Sequence, residues 1–210
     1  MKDTKSDLPI MTAVVLFTIR KTLELLYLKN EHCELPTAYL NAGESLEACA
    51  RRALYDTTGI GDVFLEQLYT FDANDESPRV IVAYYALVPV ERVGGHHEQV
   101  GWTAPEETSD LTPTQQEIVR VAGERLAAKL SYAPIAYQFL AEPFTLSELQ
   151  TVYEIIGREP LDKRNFRRRL QASSCLVETE GTRRSGRHRP AKLYRLRHSK
   201  PSFRGQEVLP

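Results

Sequence analysis

FTLSELQTVYEIIGREPLDKRNFRRRLQ, residues 144–171, decides how the last third of this chain folds. Thr145 and Glu148 have the spacing of a capping box, an N-cap hydroxyl followed three residues later by a carboxylate. Phe144 and Leu149 sit at the staple positions around it. Leu149, Val152, Tyr153 and Ile156 then recur at i, i+3, i+4 and i+7, one face of a helix that Gly157 is placed to end. Leu161 and Asp162 open a second helix, with Asp162 at the N-cap and Leu161 and Phe166 as its staple. Two capped helices joined by a short Gly-containing turn make a helix-turn-helix.

At 100° per residue, the second helix points Phe166 and Leu170 inward. Arg164, Arg168 and Gln171 lie opposite, with Asn165 and Arg167 on the flanks. Arg, Asn and Gln read guanine and adenine edges in the major groove through paired hydrogen bonds. A helix that is merely solvated mixes Glu with Lys in i,i+4 pairs, and this one has no acid after Asp162. Beyond it, 175–181 and 192–196 alternate like antiparallel strands. Arg183, Arg184, Arg187, His188 and Arg189 fill the loop between them, and Pro190-Ala191 marks the return to the sheet. A basic helix followed by a basic hairpin is the layout of a winged helix-turn-helix. The expected DNA contacts are Lys163, Arg164, Asn165, Arg167, Arg168 and Gln171 on the helix, with Arg187, Arg189 and Lys192 of the wing on phosphates.

Charge divides the chain the same way. Residues 141–210 hold 15 Lys and Arg against 8 Asp and Glu, whereas 1–140 hold 12 against 20. An acidic body joined to a basic end implies two domains with different partners, and only the second suits a polyanion. Cys33, Cys49 and Cys175 are far apart and lack metal-ligand spacing, so they read as reduced thiols of a cytoplasmic protein. No apolar run approaches the ~20 residues that cross a bilayer, which points to no membrane partner. His96-His97 follows Gly94-Gly95 and reads as loop before it reads as a metal site.

Working back toward the start, 11–19, 22–28, 63–71 and 79–90 are strand-like runs. Between them, 44–58 has helical periodicity through Leu46, Cys49, Ala50, Ala53 and Leu54, with Gly59 and Gly61 as the stop. A second helix at 114–130 carries Ile118, Val121, Ala122, Leu126 and Leu130 on one stripe. The order β-β-α-β-β-α predicts an α+β domain with a mixed sheet between helices over 8–131. The winged helix follows at 132–200, and 1–7 and 201–210 are expected to be flexible termini.

LPTAYLNAGESLEACARRALYDTTGI at 35–60 resembles the Nudix box, G-x5-E-x7-R-E-U-x-E-E-x-G-U with U aliphatic. Glu44, Arg52, Leu54, Gly59 and Ile60 match. Ala38 stands for the first Gly, and Ala53, Asp56 and Thr57 stand for the three-glutamate cluster. In Nudix hydrolases that cluster binds Mg²⁺ ions that neutralise a pyrophosphate and help activate water. The resemblance therefore implies a Nudix-type α/β/α sandwich with an impaired hydrolytic centre, hence no enzyme. FLEQLYTFDANDESPRVIVAYYALVP at 64–89 is similar to Nudix proteins that bind ADP-ribose, with Arg79 where that group has an Arg near its ligand. Glu44 and Arg52 are either a loop-to-helix ion pair or direct ligand contacts; with Arg79 they are the candidate ligand-binding residues.

LDKRNFRR and RPAKLYRL, with the helices before them, resemble the winged-helix half of the Nudix-related transcriptional regulators. That resemblance implies a homodimer on a palindromic operator, responding to an ADP-ribose-like nucleotide or a sugar. No cofactor is expected beyond that effector. The family has an acidic-histidine pair where this chain has Thr112 to Gln116, which implies an altered effector pocket. The alternative is an active pyrophosphatase on a nucleoside diphosphate derivative, using Glu44 and Asp56.

Overall fold

The computed structural model describes residues 8–30, 32–73, 78–93, 99–131, 134–173, 175–184 and 190–197. Both predicted flexible termini, His96-His97, Arg187 and Arg189 lie outside the described residues. The chain forms two compact units. One is drawn from the described residues of Met1–Val88 and Arg92–Arg125, the other from those of Pro89–Glu91 and Leu126–Pro210.

The first unit runs β1 (Ile10–Ile19), β2 (Leu23–Lys29), β3 (Cys33–Glu34), β4 (Thr37–Tyr39), α1 (Leu46–Thr58), β5 (Phe64–Ala73), β6 (Arg79–Leu87), β7 (Val100–Thr103) and α2 (Pro113–Lys129). Its sheet has seven strands in the order β3-β2-β1-β6-β5, with β4 added to β1 and β7 to β2. β1 and β6 pair in parallel from Ile10↔Val80 to Phe17↔Leu87, and the other pairings are antiparallel. β1 is buried along all but its first residue, as its unbroken apolar and β-branched sequence demands of a strand covered on both faces.

Alternation along the strands sorts the core. Val14, Leu16, Val82, Tyr84 and Ala86 pack against Ala50, Ala53 and Leu54 of α1. Burying a Val- or Leu-sized side chain stabilises by about 1.5–3 kcal/mol, so this stripe is what holds α1 down. Ser45 caps α1 by accepting from Ala48 N, and Gly59 ends it at φ 70°. α2 meets the other face: its Arg125 reaches Glu66 at 3.7 Å, and Glu66 is in register with Tyr85. The mixed-sheet sandwich expected of a Nudix domain is thus present, with β3, β4 and β7 beyond the predicted strands.

The second unit contains β8 (Phe144–Thr145), α3 (Leu146–Gly157), α4 (Lys163–Ala172), β9 (Leu176–Arg183) and β10 (Ala191–Leu196). The three strands pair antiparallel in the order β8-β10-β9. Thr145 and Glu148 make the predicted capping box, and Asp162 caps α4 by accepting from Asn165 N. Phe144, Leu149, Val152, Ile156, Phe166 and Leu170 are buried together with Ile135, Tyr137 and Phe139 of a 3-10 segment. The stop of α3 departs from expectation. Gly157 stays helical, and Arg158 takes the left-handed conformation at φ 55°.

The units divide inside α2, between Arg125 and Leu126, upstream of the boundary read at 131/132. The packing explains this. Ala127, Leu130 and Ser131 line a cleft of about 580 Å³ with Tyr153, Ile156 and Phe166, all within the second unit. The last turn of α2 therefore shares its apolar side with α3 and α4.

Candidate nucleic-acid interface and ligand site

α4 owes its position to its neighbours. Gln150 Nε2 donates to Leu161 O at 3.1 Å, and Leu161 N donates to Glu154 Oε1 at 2.9 Å. Both backbone groups of Leu161, just before α4, are thereby satisfied by α3 side chains. The Leu161 N bond, then the Gln150 amide on Glu154 itself, hold the Glu154 carboxyl below the usual carboxylate range. The turn is a fixed hinge between two helices, and Tyr153 packs edge-on against Phe166 with ring centroids 5.3 Å apart. Sequence reasoning missed Gln150 and Glu154. Their spacing from Leu161 carries no motif, because the bonds depend on where α3 ends.

With Phe166 and Leu170 turned in, Lys163, Arg164, Asn165, Arg167, Arg168 and Gln171 are all exposed. Arg168 Nη2 donates to Asn165 Oδ1 at 3.0 Å, and Arg167 Nη2 lies 3.4 Å from Ser147 Oγ of α3. Among the described residues no carboxylate pairs with Arg164, Arg167 or Arg168. Like charges at i,i+3 and i,i+4 destabilise a helix by roughly 0.2–0.5 kcal/mol per pair. This face is held together against its own repulsion, which a polyanion would relieve. Asn165 also borders the cleft, so it lies on the flank of the exposed face.

The wing differs from its reading in two respects. Lys192, placed on a phosphate by the sequence, pairs with Glu178 of the neighbouring strand at 2.8 Å. Both groups are largely exposed, so the pair is weak and open to competition. Arg183, read as part of the wing loop, is instead the last residue of β9. Its guanidinium reaches Glu148 Oε1 at 2.6 Å and Pro143 O at 2.8 Å.

In the first unit, the structure brings Glu44 and Arg52 together. Arg52 Nε and Nη2 donate to the two oxygens of Glu44 at 2.9 and 2.8 Å, and Nη2 also donates to Tyr39 O at 2.8 Å. Asn41 N donates to Glu44 Oε2 at 3.0 Å. The Arg52 hydrogen bond, then that of Asn41, hold the Glu44 carboxyl down to about 2. The loop-to-helix ion pair is made: it ties the segment before α1 to the helix and to β4. Arg79 is not brought to this pair. It opens β6 one residue before Val80, which packs on the α1 side, so alternation places Arg79 on the opposite face.

The remaining Nudix-box positions behave differently from one another. Ala53 is only 2% exposed within the core. Thr57 Oγ1 donates back to Ala53 O at 2.7 Å, and Asp56 is exposed. Among the described residues there is no group of three or more His, Cys, Asp or Glu side chains placed to hold a metal ion. No described helix is long and apolar enough to cross a membrane.

Comparison with known proteins falls on the same two regions. A family model described as the NrtR DNA-binding winged helix domain matches residues 136–196. Over 180 residues, 81% of this chain and 72% of the relative, the chain is 33% identical to the ADPR responsive transcriptional repressor NtrR of Acinetobacter baylyi. Its fold is similar to Shewanella oneidensis NrtR complexed with a 27mer DNA, with a TM-score of 0.81 and 29% identity over 89% of this chain and 93% of that one. A MutT/nudix family protein from Enterococcus faecalis matches at a TM-score of 0.76 over 92% of this chain and 90% of that one; at 20% identity this is a likeness of fold alone.

Proposed function

Because this chain belongs to the family of Nudix-related, winged-helix transcriptional regulators, we propose that it is an operator-binding regulator whose Nudix unit senses a nucleotide metabolite. The observation that carries the reading is the face of α4: Lys163, Arg164, Arg167, Arg168 and Gln171 exposed and, for the three arginines, unmatched by any carboxylate among the described residues. Arg164, Arg168 and Gln171 enter the major groove and read base edges, with Asn165 and Arg167 at the margins. The wing residues Arg187, Arg189 and Lys192 add phosphate contacts, Lys192 by exchanging Glu178 for phosphate. The chain acts as a homodimer in the cytoplasm, its two recognition helices one DNA turn apart on a two-fold symmetric site.

The Acinetobacter relative is named as ADPR responsive and as a repressor, and we assign both properties to this chain. ADP-ribose binds the Nudix unit and shifts operator affinity by about 5–150-fold, the usual range for coupling between sites. Arg52, Glu44 and Arg79 are the candidate ligand contacts. Since Arg52 and Arg79 lie on opposite faces of the sheet, they contact different parts of the ligand or only one of them contacts it. If Arg52 takes a phosphate, it gives up Glu44.

Hydrolysis is not part of this function. A Mg²⁺ site requires several anionic oxygens at close range. At the box positions this chain offers two carboxylates, Asp56 and the Arg52-paired Glu44, beside a core alanine and a threonine bonded to its own helix. The residues do not fit the metal of the active family.

The test is retention of genomic DNA fragments by the purified chain, followed by release with ADP-ribose. Selective retention and release are expected. Retention no better than for bulk DNA would end the regulator reading, and release by a free sugar alone would reassign the effector.

A further inference from the structure

We propose that Arg183 is a positioning residue for DNA binding, one that fixes the wing against the start of α3 and does not itself contact phosphate. The inference rests on the DNA-binding reading above and goes beyond it. Arg183 ends β9 and is paired with Ala191, the first residue of β10. It therefore stands where the two wing strands part. From there it spans two acceptors: Nη1 to Glu148 Oε1 and Nη2 to Pro143 O.

Glu148 divides its carboxylate between two tasks. Oε2 accepts from Thr145 N at 2.7 Å, while Thr145 Oγ1 accepts from Glu148 N at 3.1 Å, the two halves of the capping box. Oε1 is left for Arg183. Pro143 directly precedes β8, which pairs with β10 at Leu193↔Thr145 and Tyr194↔Phe144. The Arg183 fork thus closes a ring from β9 through β8 to β10 and back to β9. At the far end of β10, Leu196 N donates to Glu142 Oε1 at 2.9 Å. The wing is accordingly tied to the segment around the start of α3 through both strands, β9 by Arg183 and β10 by Leu196.

A planar guanidinium meets two acceptors at a fixed angle, which a Lys ammonium cannot reproduce. With its charge matched by a carboxylate at 2.6 Å, Arg183 contributes geometry to the interface and little field. This separates it from Arg187 and Arg189, to which the DNA-binding reading gives an electrostatic part.

The two roles predict opposite signs for one substitution. Glu148→Gln keeps the capping box, since Gln serves at that position, but loses the charge that holds Arg183. It also removes a negative charge near the interface, which by field alone would tighten DNA binding. The experiment uses the full chain and a duplex it has selected from random-sequence DNA, with affinity followed across a salt series and thermal unfolding recorded for each variant. Arg183→Met, Arg183→Lys and Glu148→Gln should each weaken binding about two- to fivefold, the effect of a half-exposed ion pair. The salt slope of Arg183→Met should equal that of the unmodified chain. Tighter binding by Glu148→Gln, or a slope reduced by about 0.9 in Arg183→Met, the signature of one lost phosphate contact, would overturn the proposal. A chain that selects no duplex at all would overturn the regulator reading first, and this inference with it.

Discussion

α1 and α4 are both amphipathic helices that carry adjacent arginines, yet they dispose of the charge in opposite ways. On α1, Arg51 pairs with Glu47 at 2.9 Å and Arg52 with Glu44 at 2.8 Å. On α4, Arg164, Arg167 and Arg168 face solvent with no carboxylate partner among the described residues. A guanidinium matched by a carboxylate has its charge answered within the chain; one left unmatched beside others of its kind is held ready for an anion that arrives later. Arginine content therefore does not locate an interface, whereas the local absence of acids does.

If α4 spends its polar face on DNA, its attachment must come entirely from its apolar side. Phe166→Ala should then be the most damaging single change on either helix, costing about 3–5 kcal/mol for a large buried ring, as measured by thermal or urea unfolding. A loss below about 1 kcal/mol, the scale of an ordinary hydrogen bond, would mean that polar contacts hold α4 after all. Next in size, Arg164→Ala or Arg168→Ala should weaken operator binding by about 1–3 kcal/mol each and relax sequence preference. Arg51→Ala on α1 should leave it unchanged, and binding titrations in which the two helices respond alike would break the comparison.

These expectations draw on parts of the molecule that are unequally legible in the sequence. The caps at Thr145 and Asp162 and the inward pair Phe166 and Leu170 can be read directly, because each depends on residues three or four positions away. β7 cannot: its four residues are a strand only because Leu25–Leu28 of a distant segment pair with them. Arg183 escapes a sequence reading for the same reason, its carboxylate lying 35 residues earlier. Glu44 and Arg52 are legible as a pair, but their further bonds to Tyr39 O and Asn41 N are not, since only the folded backbone supplies those partners.

A third prediction concerns the matched pair alone. With Arg52 and Asn41 holding it down, Glu44 should titrate near 2 by NMR. Because its folded pKa lies below the ordinary glutamate value of 4.5, the pair's stabilisation is complete above that value and is lost as pH falls toward 2. In Arg52→Met the midpoint should move up toward the ordinary range; a Glu44 that titrates normally in the unmodified chain would mean the pair is not made in solution. The smallest effect is expected at Arg158. Left-handed backbone costs an L-residue roughly 1–2 kcal/mol, and glycine, free of that cost, gives part of the gain back through a freer unfolded chain. Arg158→Gly should therefore raise stability by no more than about 1 kcal/mol, and a decrease would show that the Arg158 side chain contributes more than its backbone costs.

The division of the units inside α2 has a consequence for anyone who wishes to cut this protein. A fragment that begins after the helix, at the hand-over suggested by sequence, discards Leu126, which is fully buried, along with the Ala127 and Leu130 wall of the cleft. Such a piece would keep every basic residue of α4 and still lack part of its floor. The minimal DNA-binding module is therefore expected to start at or before Leu126, and one that starts at Pro113 keeps α2 whole. The junction with the acidic half lies inside a helix and not in a loop, so an exchange of that half would have to keep α2 helical across Arg125 and Leu126.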